Sequence, residues 1–281
     1  MASTLTNNPG EPPEQALSAA IELVALSKSY HGFHVVDAIS FKAGYGRIFG
    51  LLGPNGAGKS TTVKMLVTLS ESSAGRAFVN GFDIEKQTQA VRTSLGYVPQ
   101  LISADGNLTA YENLNFSAKL YGLLHSERKP RIYEALTFMG LFEHKDKIVK
   151  NFSGGMIRKL EIAQAILHKP RVLFLDEPTV GLDILARSTV WEKLRYLKSE
   201  LNTSILITTH SMEEAEILCD DIAIMQQGKI VVQGDIKSLK ETIGEHASLS
   251  DVFVHYCDNS MVDRGNYKDA RQTRFTVDKL G

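Results

Sequence analysis

Gly53-Pro-Asn-Gly-Ala-Gly-Lys-Ser60 lies between an apolar run, Ile48–Leu52, and a stretch whose Val63, Leu66 and Val67 suit a helix. Two glycines at this spacing, followed by Lys59 and Ser60, make a phosphate-binding loop in its strand–loop–helix setting. Glycines let successive backbone N–H groups curl around a dense anion, and the helix that follows adds about half a positive charge at its start. Lys59 brings a full charge to the β- and γ-phosphates, and Ser60 brings a hydroxyl to a divalent cation. A chain built around this element is an α/β protein with a mainly parallel sheet.

The rest of the 281-residue chain agrees. Strands are expected at 21–26, 35–41, 47–52, 95–98, 172–176, 204–209, 222–225 and 230–232. Helices are expected to begin near Lys59, Tyr111, Pro130, Gly154, Ile184 and Met212. Pro130 suits a first helical position. Ser211 and Glu214 form a capping-box pattern. Residues 101–169 read as a helical insert between strand-rich flanks.

Val172-Leu-Phe-Leu-Asp176-Glu177 is an apolar strand ending in two carboxylates. At the C-terminal edge of a parallel sheet both face the ligand crevice. Asp176 is placed to hold Mg²⁺, and Glu177 to orient, and deprotonate, the water that attacks the γ-phosphate. His210 closes the strand 205–209 and would face the same crevice, within reach of the γ-phosphate. Gln100 follows the strand 95–98 at the start of the insert. Ser153, before Gly154 and Gly155, is a natural N-cap whose helix start exposes backbone N–H groups to an anion.

Together these residues resemble the ATP-binding cassette (ABC) ATPases. The Walker A loop Gly53–Ser60, Q-loop Gln100, signature Phe152–Met156, Walker B run Val172–Glu177, D-loop Gly181-Leu182-Asp183 and switch His210 occur in the family's order, over about residues 21–233. The resemblance implies a P-loop NTPase fold: a RecA-like core, an antiparallel β subdomain and an inserted helical subdomain. It implies two subunits facing head to tail, a homodimer in the simplest case. ATP with Mg²⁺ would lie on Gly53, Pro54, Asn55, Gly56, Ala57, Gly58, Lys59, Ser60 and Thr61 of one subunit. Ser153, Gly154 and Gly155 of the other would cover it, and Asp183 of the D-loop belongs to the implied nucleotide-binding set. Tyr30 stands where the family's A-loop stacks on adenine, and Ser60, Gln100 and Asp176 form the implied Mg²⁺ set. Catalysis falls to Glu177, His210, Gln100 and Lys59.

The chain departs from the family's commonest pattern at Phe152, Met156, Ile184 and Arg47, none of them a catalytic group. Met156, together with the stretches 107–114, 119–123 and 248–254, resembles the ABC-2 exporter branch, including its daunorubicin-resistance type. That implies a separate multi-span permease docked beside the Q-loop, along residues 101–108, and a peripheral position on the cytoplasmic face of the cell membrane. A non-transport ABC ATPase acting on ribosomes or nucleic acid is the alternative. Lys+Arg 31 against Asp+Glu 32 gives no basic surplus for it, so no nucleic-acid partner is expected.

Neither a signal-peptide pattern nor a stretch of about 18 continuous apolar residues is present in the sequence. Cys219 and Cys257 offer no disulfide framework. The expected organisation is a disordered lead-in over 1–20, an ABC domain over 21–236 with its helical subdomain at about 101–169, and a polar C-terminal extension over 237–281.

Overall fold

The computed structural model of the protein describes residues 19–244 and 246–262. Residues 1–18 of the expected lead-in and the charged tail from Asp263 onward lie outside the described residues. Ala19 and Ala20, expected in the lead-in, are buried, and Ala20 hydrogen bonds through its backbone to Ala43 and Asn80.

Strand β1 (Ile21–Tyr30) turns at His31-Gly32 into β2 (Phe33–Ala43). Both turn residues have positive φ, 49° and 82°, as a two-residue hairpin of matching twist requires. That turn carries both strands beyond their expected ends. The chain continues through β3 (Ile48–Leu52), the phosphate-binding loop and α1 (Lys59–Leu66). Strands β4 (Ala74–Val79) and β5 (Phe82–Asp83) and helix α2 (Thr88–Ser94) follow, all three unforeseen in the sequence. Strands β1, β2, β4 and β5 form an antiparallel sheet in the order β2-β1-β4-β5.

Beyond β6 (Leu95–Val98) lies the insert, built from α3 (Ala110–Leu120), α4 (His125–Phe138) and α5 (Gly154–Ile166). Thr109 and Glu112 close a reciprocal capping box at the start of α3. Helix α4 begins five residues before the position expected from Pro130, so this proline is inside the helix. Its exposed first turn, His125-Ser-Glu-Arg-Lys129, carries no apolar periodicity to announce it.

The chain then alternates through β7 (Val172–Asp176), α6 (Ile184–Ser199), β8 (Ser204–Thr209), α7 (Met212–Leu218), β9 (Asp221–Gln226) and β10 (Lys229–Asp235). Among the described residues six strands form the central sheet, in the order β10-β9-β3-β8-β7-β6, with only β10 antiparallel. Every residue of β3, β7 and β8 is buried, as expected of a sheet covered on both faces. Leu173, Leu175, Ile205 and Ile207 point into the core beneath the insert. Phe174 and Leu206 alternate with them and pack toward the antiparallel sheet. Burial of this apolar surface, at about 25 cal/mol per Å², anchors the strands whose ends carry the site.

The extension expected to be polar from 237 onward instead carries α8 (Ile236–Ile243) and α9 (Leu249–Val262). Leu239, Leu249, Val252 and Cys257 pack on Leu52, Ile222 and Ile224. Among the described residues no helix is long and apolar enough to cross a membrane.

Candidate active site

Three strand ends assemble the site. Leu52 of β3 pairs with Thr209 of β8, and Thr208 of β8 pairs with Asp176 of β7. The phosphate loop, the two carboxylates and His210 therefore leave the same edge of the sheet side by side, as binding crevices in open α/β sheets do.

Gly53 is buried against β9: a Cβ there would come within 2.2 Å of the Met225 carbonyl oxygen, so only glycine fits. Pro54, Asn55 and Gly56 are exposed, Ala57 and Gly58 are buried, and Ser60 and Thr61 are half-buried in the first turn of α1. Lys59 folds back over its own loop. Its Nζ donates to the Gly53 carbonyl at 2.7 Å and the Pro54 carbonyl at 3.2 Å. Nζ also lies 3.7 Å from Glu177 Oε1. Burial pushes the Lys59 ammonium below its usual lysine range, and the charges of Glu177 and Asp176 oppose that shift. A buried cation held mainly by neutral carbonyls gains most from an arriving polyanion.

Ser60 Oγ donates to Asp176 Oδ1 at 3.1 Å. Asp176 Oδ1 also accepts from Thr208 Oγ1. The Tyr97 phenol is pushed up to about 12 by burial and then by the Asp176 charge, and remains a neutral neighbour.

Glu177 is the point where the site converges. Its backbone N–H donates to the Thr208 carbonyl at 3.1 Å and to Thr208 Oγ1 at 3.0 Å. Gln100 Nε2 donates to Glu177 Oε2 at 3.3 Å, and His210 Nδ1 lies 3.3 Å from Oε1. Lys59, Gln100, His210 and the Asp176-Glu177 pair, drawn from four separate stretches of sequence, thus meet around the Glu177 carboxylate.

Tyr30 ends β1 and is 47% exposed, with Lys28 Nζ 5.0 Å from its ring centroid. It pairs with Phe33, two residues from Val35, whose carbonyl backs Gly58. The ring is thus half open to solvent, on a hairpin whose second strand backs the phosphate loop at Gly58.

Ser153, Gly154, Gly155 and Asp183 form a second group. Ser153 Oγ accepts from the Met156 N–H at 3.3 Å and caps α5, while Asp183 Oδ1 accepts from the Ala186 N–H at 2.8 Å and caps α6. A Cβ on Gly155 would lie 2.7 Å from the Ala186 Cβ, so glycine lets the two helix starts close on each other. Among the described residues no hydrogen bond or ion pair joins Ser153 or Asp183 to the Lys59 cluster.

Sequence reasoning missed two supports. Thr208 ties Asp176 to Glu177; its only signal was a hydroxyl ending the apolar run of β8. Arg158 of α5 donates to the Pro99 carbonyl at 2.8 Å and the Gln100 carbonyl at 3.1 Å. Arg158 also pairs with Glu161 at 3.1 Å, and Glu161 Oε1 accepts from Ser103. The signature helix therefore holds the segment that carries Gln100. Buried charges at 158 and 161 on an otherwise apolar helix face were the available sign.

The family profile described as "ABC transporter" matches residues 36–180. The chain belongs to the ABC transporter family. This cassette is 42% identical to the linearmycin resistance ATP-binding protein LnrL of Bacillus subtilis (strain 168), over 78% of the chain and 70% of that relative. It is 39% identical to the daunorubicin/doxorubicin resistance ATP-binding protein DrrA of Streptomyces peucetius, over 81% of the chain and 68% of that relative. Among solved structures, an ATP-binding subunit of an ABC transporter superposes with a TM-score of 0.78 at 30% identity, over 85% of the cassette and 100% of that chain. A dimeric ABC cassette bound to ADP and phosphate shares the fold, with a TM-score of 0.70 at 21% identity over 76% of this chain and 98% of that one. The P-loop α/β architecture expected from the sequence is therefore the one observed, and the cassette is an ATPase of this family.

Proposed function

We propose that this cassette hydrolyses ATP to power an ABC-2-type exporter, working as a pair of cassettes on a separate membrane-spanning permease. The convergence of Lys59, Gln100 and His210 on Glu177 carries the reading. ATP lays its triphosphate along Gly53–Thr61, with Lys59 transferring from the Gly53 and Pro54 carbonyls to the β- and γ-phosphates. Tyr30 stacks on the adenine.

Ser60 and Asp176 present oxygen donors 3.1 Å apart, a set suited to a hard cation held by one or two protein ligands and the phosphates. Bound there with Gln100, Mg²⁺ would neutralise charge on the β- and γ-oxygens. Glu177 orients a water for in-line attack on the γ-phosphorus and accepts its proton as the bond to the ADP oxygen breaks. His210, beside Glu177, donates a hydrogen bond to the γ-phosphate and so distinguishes ATP from ADP.

The partner's Ser153, Gly154, Gly155 and Asp183 complete the site. Closure is then favoured by ATP and lost with ADP, and that difference in binding free energy drives the permease. Leu101 and Ile102, 81% and 65% exposed directly after Gln100, form an apolar surface for the permease. Docking there places the cassette on the cytoplasmic face of the membrane. The names of LnrL and DrrA, resistance proteins for linearmycin and for daunorubicin and doxorubicin, support export as the task.

Steady-state ATPase and filtration assays test this. Lys59→Ala should lose nucleotide binding and turnover together. Glu177→Gln should keep ATP binding, lose turnover and accumulate an ATP-bound dimer. Normal turnover by Glu177→Gln would refute the role of Glu177.

A further inference from the structure

Glu214 lies in the first turn of α7, one helical turn beyond His210, and only 2% of it is exposed. Its Oε1 accepts two hydrogen bonds, from Thr179 Oγ1 at 2.6 Å and from Trp191 Nε1 at 3.0 Å. All three side chains are buried. Thr179 lies two residues after Glu177 and four before Asp183. Trp191 belongs to α6, the helix that Asp183 caps. One carboxyl oxygen of α7, the helix behind the switch histidine, thus joins the loop that follows the general base to the helix behind the D-loop.

Both donors are neutral, and an apolar side chain of similar volume would avoid burying the acid. Removing the acceptor leaves a buried O–H and a buried N–H unpaired, which makes the junction two-sided and stiff. The neighbouring Arg187–Glu213 contact, at 3.6 Å with Glu213 64% exposed, adds little to it.

We infer that Glu214 is a positioning residue that makes movement of the D-loop and movement of His210 a single event. The inference rests on the roles proposed for Glu177, Asp183 and His210. When a partner meets Asp183, the displacement passes through Thr179 and Trp191 to Glu214, and α7 carries His210 with it. Neither His210 nor Asp183 then reaches its working place alone.

Trp191 is the only tryptophan in the chain, so its emission reports on this junction in the intact protein. In Glu177→Gln, saturating MgATP is expected to change Trp191 emission, and MgADP is not. Adding Glu214→Leu should abolish that change while ATP, measured by equilibrium dialysis, still binds within about threefold of its former affinity. Glu214→Leu alone should lower kcat about tenfold or more with KM for ATP little altered. Glu214→Gln keeps the accepting Oε1 and should restore both the rate and the emission change. A merely structural role would move neither the nucleotide-dependent emission nor the split between kcat and KM.

If Glu214→Leu does not fold, Thr179→Val and Trp191→Phe each remove one bond and should each lower kcat. Wild-type kcat in these variants, or an ATP-dependent emission change that survives Glu214→Leu, overturns the inference. Glu177→Gln is assayed in parallel. If it turns over normally, the reading of the site itself fails; if it is inactive while Glu214→Leu is as fast as wild type, the coupling alone fails.

Discussion

Glu177 occupies left-handed backbone at φ 49°, a conformation that costs a non-glycine residue about 1–3 kcal/mol. The two bonds from its N–H to Thr208 hold it there, and Thr208 also donates to Asp176. Thr208→Val keeps the shape and removes the hydroxyl. It should lower kcat about tenfold or more while ATP binding changes little, because a lost buried hydrogen bond costs about 1–3 kcal/mol. Unchanged steady-state turnover would show that the Thr208 carbonyl alone positions Glu177. Lys59 carries a pH signature. Burial holds its ammonium below the usual 10.5, so in the empty site it loses its proton earlier than an exposed lysine does. A bound triphosphate favours the charged form, so binding takes up a proton once pH passes the lowered value. ATP affinity, read by calorimetry, should therefore fall as pH rises through that value, before 10.5 is reached. Lys59→Arg stays charged and should show no such fall.

At the scale of elements, α4 carries Pro130 in its interior. The proline is exposed and lacks the N–H of an interior residue, so Pro130→Ala should raise stability by about 1–3 kcal/mol in chemical denaturation. A midpoint unchanged or lowered would mean that the ring makes a compensating contact. The late start expected for α4 has the same origin: its first turn is solvated and charged, and proline resembles a helix start. Elements with a buried face on the central sheet were legible. β3, β7 and β8 are apolar throughout, and the loop, carboxylates and histidine at their ends inherit their position from them. Elements that bury little were not legible. β4 leaves Ala74, Gly75 and Arg76 exposed, and α2 buries only Val91 and Ser94. α8 and α9 escaped because their packing partners, Leu52, Ile222 and Ile224, are distant in sequence. Gln100 was visible only through the family resemblance, since nothing in the local pattern of an exposed glutamine foretells a bond to Glu177.

Across the whole chain, no hydrogen bond or ion pair among the described residues joins the Lys59 cluster to Ser153 or Asp183, the two groups proposed to act as half-sites. The Lys59 cluster leaves one sheet edge, while Ser153 and Asp183 cap neighbouring helices whose exposed surroundings include Val180, Ile184 and Leu185. Large apolar side chains beside exposed N–H groups suit burial against a second copy. In the two-fold dimer proposed above each surface would meet its complement twice, so each nucleotide would be shared between chains. Mixing tests this without a structure of the pair. Lys59→Ala spoils the loop of its own chain, and Ser153→Arg spoils the turn. Each variant alone should be inactive, because every site in its dimer has one ruined half. A mixed dimer gathers both defects into one site and leaves the other intact. An equal mixture should therefore recover roughly a quarter of wild-type turnover, since about half of its dimers are mixed and each has one working site of two. A mixture as inactive as its components would mean that loop and turn do not meet across the subunits, and would remove the basis for ATP-driven closure.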